Sequence, residues 1–546
     1  MWFARISKSH YWGGIVCALL FLLVGCIFVN YAGIQTDEAL FAAPLFRSWQ
    51  FFSIPIGPYN LPVMNMSYNG ALKTWLYAPI LLSAARPSAA LIRVPAILMG
   101  AATIVIFWGL LYRIHGRSAA WVGCILLATD TSFMLMTAHD WGPVALQHLL
   151  LTAAMFCTVR WFQSAASGSL AAAAFCCGLA MWDKAVFIWA FTGILAGSLV
   201  FVSGIRKRLT WRCMAIVAGA LSLGALPLIV YNFTAEQMFA TIRSNAPSGA
   251  GVAFGELSQR LRVLCWTANG SALFGYLADE DWAPQPKPAR SKLERVSFSI
   301  RHLTGEHRRN NMVPAYCVAL LLFPLLWRTR ARKVILFCLV AMVVAWIFMT
   351  GTGGGGSSHH AVLLWPLPQL FLAVAFAEAA WHLRFGKWVL GVVVGLLAAG
   401  NLLVTNQYLY QFIRDGAGNA WTDAIYPLAD GLRQTDASQI VLPDWGLADS
   451  LCVLDRGKPI AHLANDPFLA DGQPPSQKRY ELQTLSDRKA IWVEHVPGHE
   501  MSHGVNDRIR DATHRAGFEP VMLQTYYDRN GRAIFQTLQF TSKLPK

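Results

Sequence analysis

Long apolar runs separated by short polar turns fill the first 400 or so residues of the chain. A helix that crosses a bilayer needs about 20 mostly apolar residues. Runs of this kind occupy 11–30, 92–112, 119–137, 142–162, 169–182, 185–203, 211–231, 313–328, 334–350, 361–379 and 388–406, which predicts about 11 spans. The fifth and sixth are short and separated only by WDK, so one of them is a candidate half-span. After 406 the pattern changes. Strand-like pieces, QIVLPDW (439–445) and KAIWVEHV (489–496), alternate with helix-like ones, which predicts a small α/β domain over 407–546. The spans and their loops form the other domain, 1–406.

Charge fixes an expected orientation. Arg5 and Lys8, Arg113 and Arg117, RKRLTWR (206–212), RTRARK (328–333), and Arg384 and Lys387 all fall in alternate loops. Lys and Arg gather on the cytoplasmic side. The N-terminus is therefore expected inside, and the C-terminus outside. The basic MWFARISKSH precedes an apolar run of about 19 residues. That exceeds the roughly 7–15 of a signal peptide and reads as a retained first span. Loops 31–91 and 232–312 are then large outside segments.

Composition agrees. Of 546 residues, 55% are hydrophobic and only 14% charged, where a soluble domain carries about a quarter charged. The net charge of +15 is expected where basic loops meet anionic lipid, so the partner is a bilayer and not a nucleic acid. Most of the 11 cysteines lie in apolar runs, and only Cys265 and Cys452 fall in long polar stretches. No CxxC spacing points to zinc. The scarcity of outside thiols favours a bacterial inner membrane. The sequons at Asn232 and Asn269 keep an endoplasmic reticulum membrane as the alternative.

The first outside loop carries chemistry. Asp37 and Glu38 stand side by side in TDEALFAA just past the first span, and Lys73 sits in LKTWLYAPILLSAA, a stretch suited to a helix lying at the membrane interface. The same expected side holds Arg93, His139, Asp140, Lys184, and the pair His359 and His360 after a run of glycines. Each has a plainer reading. Acids favour helix starts, Lys and Arg snorkel, and Lys184 has Asp183 beside it to pair with.

The pieces TDEALFA (36–42), LIRVPAILMG (91–100), HDWGPVALQHLLL (139–151), GLAMWDKAVFIW (178–189) and HHAVLLWPLPQL (359–370) run in order over about 400 residues. Together they resemble the GT-C superfamily of membrane glycosyltransferases, nearest to the protein O-mannosyltransferases and the lipid A aminoarabinose transferases. The chain departs from the latter at two points. His359 and His360 stand where those enzymes commonly carry Arg-Tyr, and WDKA stands where they carry Thr-Lys-Gly.

The resemblance implies a mostly α, polytopic GT-C fold with juxtamembrane helices in the first outside loop. It implies transfer of a sugar from a polyprenyl-phosphate donor to a glycan, lipid or protein acceptor outside the membrane, with inversion at the anomeric carbon. Asp37 is then the expected base, with Glu38 and Asp140 supporting it. Lys73, Arg93, Lys184, His359 and His360 are expected to face the donor phosphate. Tyr68, Tyr276 and Trp282 are candidates for stacking on sugar or acceptor. Asp37, Asp140 and His139 form a candidate divalent-metal set. A glycan ligase or polymerase of the same fold is an alternative. A transporter is a further one, disfavoured because the ionisable residues cluster at one face and neither half repeats the other.

Overall fold

The computed structural model describes residues 11–47, 50–57, 59–234, 238–245, 254–280, 284–352, 355–457, 460–462, 468–469 and 475–542. The first span is helix α1 (Trp12–Phe28). It packs on α4 (Ala89–His115), whose Trp108 fills the space above Gly13 and Gly14. A Cβ on Gly13 would lie 2.1 Å from that indole, so only glycine lets the two helices approach this closely.

The first loop is a folded unit between these helices. One turn of helix, α2 (Thr36–Ala39), carries Asp37 and Glu38. Gln35 caps it, and Glu38 reaches back to the Gln35 N–H to complete a capping box. Strands β1 (Phe52–Ile56), β2 (Tyr59–Met66) and β3 (Asn69–Gly70) form an antiparallel sheet with Ile54 opposite Leu61. The lysine-bearing stretch is α3 (Leu72–Ser83), which turns Lys73, Thr74, Tyr77 and Leu81 inward.

Five helices are long and apolar enough to cross a membrane, and up to eight if each of three bent pairs is one span. These helices make the chain a multi-pass membrane protein. The expected 11 spans are not matched one for one. The 119–137 run breaks into α5 (Arg117–Thr129) and α6 (Thr131–Ala138), bent by 54°. Asp130 sits at the break, between the two helices. Its Oδ1 caps α6 by accepting from Phe133 N at 2.9 Å, and its Oδ2 accepts from Trp365 Nε1 and Gln369 Nε2 at 2.9 and 3.0 Å. The 211–231 run bends by 69°, and the 361–379 region by 45°. Helix α7 (Val144–Ser164) meets the length test, whereas α8 (Ser167–Asp183) is shorter than a span.

The last long helix runs Gly386–Arg414, past the expected end at 406. Beyond it, β4 (Ile440–Leu442), β5 (Ile460–His462), β6 (Ile491–His495), β7 (Phe518–Tyr527) and β8 (Ala533–Ser542) form one sheet in the order β5-β4-β6-β8-β7. β4 is parallel to β5 and β6, while β8 is antiparallel to β6 and β7. One face of this sheet shares a core with the first loop: Ile440, Leu442 and Val493 cluster with Ile34, Ala39, Ala42 and Ala43. The C-terminal segment thus braces the turn that carries Asp37.

Candidate active site

Asp37 lies at one end of the helical bundle, partly exposed in the first turn of α2. Its backbone N–H donates to Gln35 Oε1 at 2.6 Å, and its Oδ2 accepts from Trp141 Nε1 at 3.2 Å. Among the described residues its Oδ1 accepts no hydrogen bond. Trp141 belongs to the tight HDWGP turn between α6 and α7. Its ring stacks between Tyr276, 5.4 Å away, and His359, 5.6 Å away.

Lys184 caps the end of α8 and lies within electrostatic reach of Asp37 and Asp183. Its ammonium sits 5.7 Å from the Tyr68 ring. Among the described residues it has no direct hydrogen bond or ion pair. Asp183 instead accepts from Gln147 Nε2 at 3.0 Å. Burial pulls the Lys184 ammonium below the usual lysine range, with Asp37 and Asp183 opposing that pull. His359 also feels Asp37 and Lys184, and burial holds its imidazole down to about 4. His360 packs 4.2 Å from His359 and edge-on to Trp189, with Nδ1 2.8 Å from Ser357 Oγ. Asp37, Tyr68, Lys184, Tyr276 and His359 therefore converge, and Trp141 joins them. Trp141 is not among the residues expected from the sequence. Its signal was Gly142-Pro143 directly after it, which marks a turn and not an interfacial ring.

Other expected residues turn elsewhere. Lys73 does not meet lipid headgroups. It is fully buried, with Nζ 2.6 Å from Asp140 Oδ1 and a second bond to the Gly142 carbonyl. Tyr77 Oη donates to Asp140 Oδ2 at 2.6 Å. Arg93 and Glu38 are likewise fully buried and form a two-point pair, with Nε to Oε1 at 2.7 Å and Nη2 to Oε2 at 2.9 Å. The remaining Arg93 donors go to the carbonyls of Val29, Ala32 and Gly33. Its guanidinium has no donor left for a phosphate.

The metal set does not assemble. His139 Nδ1 bonds the Leu135 carbonyl at 2.9 Å, and its ring stacks on Phe412. Both Asp140 oxygens are engaged by Lys73 and Tyr77. Among the described residues no three His, Cys, Asp or Glu side chains group to hold a metal. Trp282, Asp281, Gly353 and Gly354 lie outside the described residues. Of the acids in the second loop, Asp279 pairs with Arg532, and Glu280 bonds Arg308 at 2.7 Å.

No family model matches the chain, and no curated protein does. Solved structures do. The structure of ArnT from Cupriavidus metallidurans bound to undecaprenyl phosphate aligns over 96% of this chain and 97% of its own, with TM-score 0.56 and 12% identity. The Archaeoglobus fulgidus oligosaccharyltransferase tethered to an acceptor peptide aligns over 98% of this chain and 74% of its own, with TM-score 0.51 and 11% identity. The same archaeal enzyme in complex with Zn and sulfate gives TM-score 0.51 at 12% identity, over 96% of this chain and 73% of that one. Both proteins are GT-C membrane glycosyltransferases. The chain has their fold. The fold that the five motifs imply is thus the fold of these structures, at identities too low for alignment of the whole sequence to reveal it.

Proposed function

We propose that this protein is a glycosyltransferase that moves a sugar from a polyprenyl-phosphate donor to an acceptor at the outer face of a bacterial inner membrane. The observation that carries the reading is Asp37. One carboxylate oxygen is held by Trp141, the other accepts no hydrogen bond among the described residues, and Lys184 and His359 lie within electrostatic reach of it. The likeness to a protein solved with undecaprenyl phosphate supports the donor class.

The chemistry follows from the groups present. Asp37 Oδ1 takes the proton of the acceptor hydroxyl as that oxygen attacks the anomeric carbon. The bond from that carbon to the phosphate oxygen breaks, and the polyprenyl phosphate leaves with the electron pair. Attack opposite the leaving group inverts the anomeric carbon. Negative charge grows on the phosphate, and Lys184 is the cation placed to meet it. His359, neutral at pH 7, offers an N–H and not a charge. Lys73 acts at one remove, through Asp140. Tyr68 and Tyr276 lie within electrostatic reach of Asp37, where a sugar would lie. No step is assigned to a metal.

The test is Asp37→Asn. The variant should insert and fold but lose transfer, measured as disappearance of one sugar from the glycans and glycolipids of cells carrying it. Wild-type sugar content in those cells overturns the assignment.

A further inference from the structure

We infer that Trp141 is the positioning residue that aims Asp37, and that the buried Lys73–Asp140 pair acts on the site through it. This rests on the reading of Asp37 as the base.

Trp141 is held from every side. Asp140 (φ 45°) and Gly142 (φ 58°), on either side of it, adopt left-handed backbone. Such a conformation is strained for a non-glycine residue and persists only where the surroundings over-determine it. Here they do. Lys73 binds both the Asp140 carboxylate and the Gly142 carbonyl, so one ammonium clamps the residues on both sides of Trp141. Tyr77, one helical turn further along α3, takes the other Asp140 oxygen. The Trp141 N–H bonds the Met136 carbonyl at 2.9 Å. The ring is then fixed by stacking on Tyr276 and His359 and by the edge of Trp421 at 5.0 Å.

The indole N–H has one direction left, and Asp37 Oδ2 lies along it. The consequence is a division of labour within one carboxylate. Oδ2 is tethered and Oδ1 is presented to the acceptor. Loss of the tether frees the carboxylate to rotate and removes a donor that favours its charged form. The charged and titratable groups acting on Asp37 from neighbouring elements are Lys184, Tyr68, Tyr276, His359 and Asp449. None of them changes in the substitution that tests the tether.

Trp141→Phe keeps a ring in the stack and removes only the N–H and the second ring. With an undecaprenyl-phosphate-linked hexose as donor, kcat should fall roughly tenfold, as expected for a lost hydrogen bond to a charged group. The donor KM should stay within about twofold, and the acid limb of the kcat profile should move to higher pH. If Trp141→Phe does not accumulate, Tyr77→Phe loosens the same turn and should show the same pattern more weakly. An unchanged kcat, or a fall with an unmoved acid limb, overturns the inference. Asp37→Asn separates the two claims. If it still transfers, the base reading fails. If it is dead while Trp141→Phe matches wild type, only the positioning inference fails.

Discussion

Glu38 and Arg93 form a fully buried two-point ion pair, and Arg93 ties the same guanidinium to three carbonyls at the end of the first span. Such a pair is costly to break, because removing one partner strands a charge in a dry interior. Losses of about 3–5 kcal/mol are usual for this. Arg93→Ala and Glu38→Ala should each lower the thermal unfolding temperature in detergent and cut the yield of folded protein. Arg93→Lys should fare little better, since an ammonium cannot form the planar fork that reaches a carboxylate and three carbonyls. A folded, fully stable Arg93→Lys variant would show that the pair does not hold the loop.

Among the described residues expected to meet the phosphate, Lys184 has an ammonium with no direct hydrogen bond or ion pair. Lys184→Ala should weaken binding of undecaprenyl phosphate about tenfold, measured by titration of the purified protein, with little change in stability. Among the described residues the ammonium makes no direct hydrogen bond or ion pair, so its removal breaks no such contact and relieves a buried charge. Undiminished binding would move the phosphate contact elsewhere.

The helical membrane architecture was legible in the sequence because apolar runs of span length need no tertiary context. The breaks were less so. Asp130 is an acid inside an apolar run, but its pairing with Trp365 and Gln369 draws on residues more than 230 positions away. The candidate site was legible as a set of residues on one side, and not as pairings. Lys73 and Asp140 are 67 positions apart, and Lys73 read as a headgroup contact because burial cannot be seen in a single loop. The carbonyls that occupy Arg93 are invisible to any reading of side-chain types. Trp141 was missed because outer-turn tryptophans are common at membrane interfaces, and only the fold aims this one at Asp37.

The failure of Asp37, Asp140 and His139 to converge has a direct consequence. His139 faces a backbone carbonyl and an aromatic ring, and Asp140 is neutralised by Lys73. Transfer by the purified protein should therefore survive exhaustive EDTA treatment unchanged. A loss restored by added Mg²⁺ or Mn²⁺ would require a different ligand set from the one read in the sequence.

His359 supplies the pH test. Burial holds its imidazole at about 4 in the folded chain, against 6.5 for an ordinary histidine. Between those values the unfolded chain binds a proton that the folded chain does not, so stability rises with pH across that window. The contribution is fully present above about pH 6.5 and is lost as pH falls toward 4. His359→Phe keeps a ring against Trp141 and removes the titration. Thermal unfolding from pH 7 to pH 4 should therefore cost the wild type more than the variant, since other acid-sensitive groups are common to both. Parallel curves for the two proteins would mean that burial leaves the His359 imidazole at its ordinary value, so that folded and unfolded chains take up its proton together.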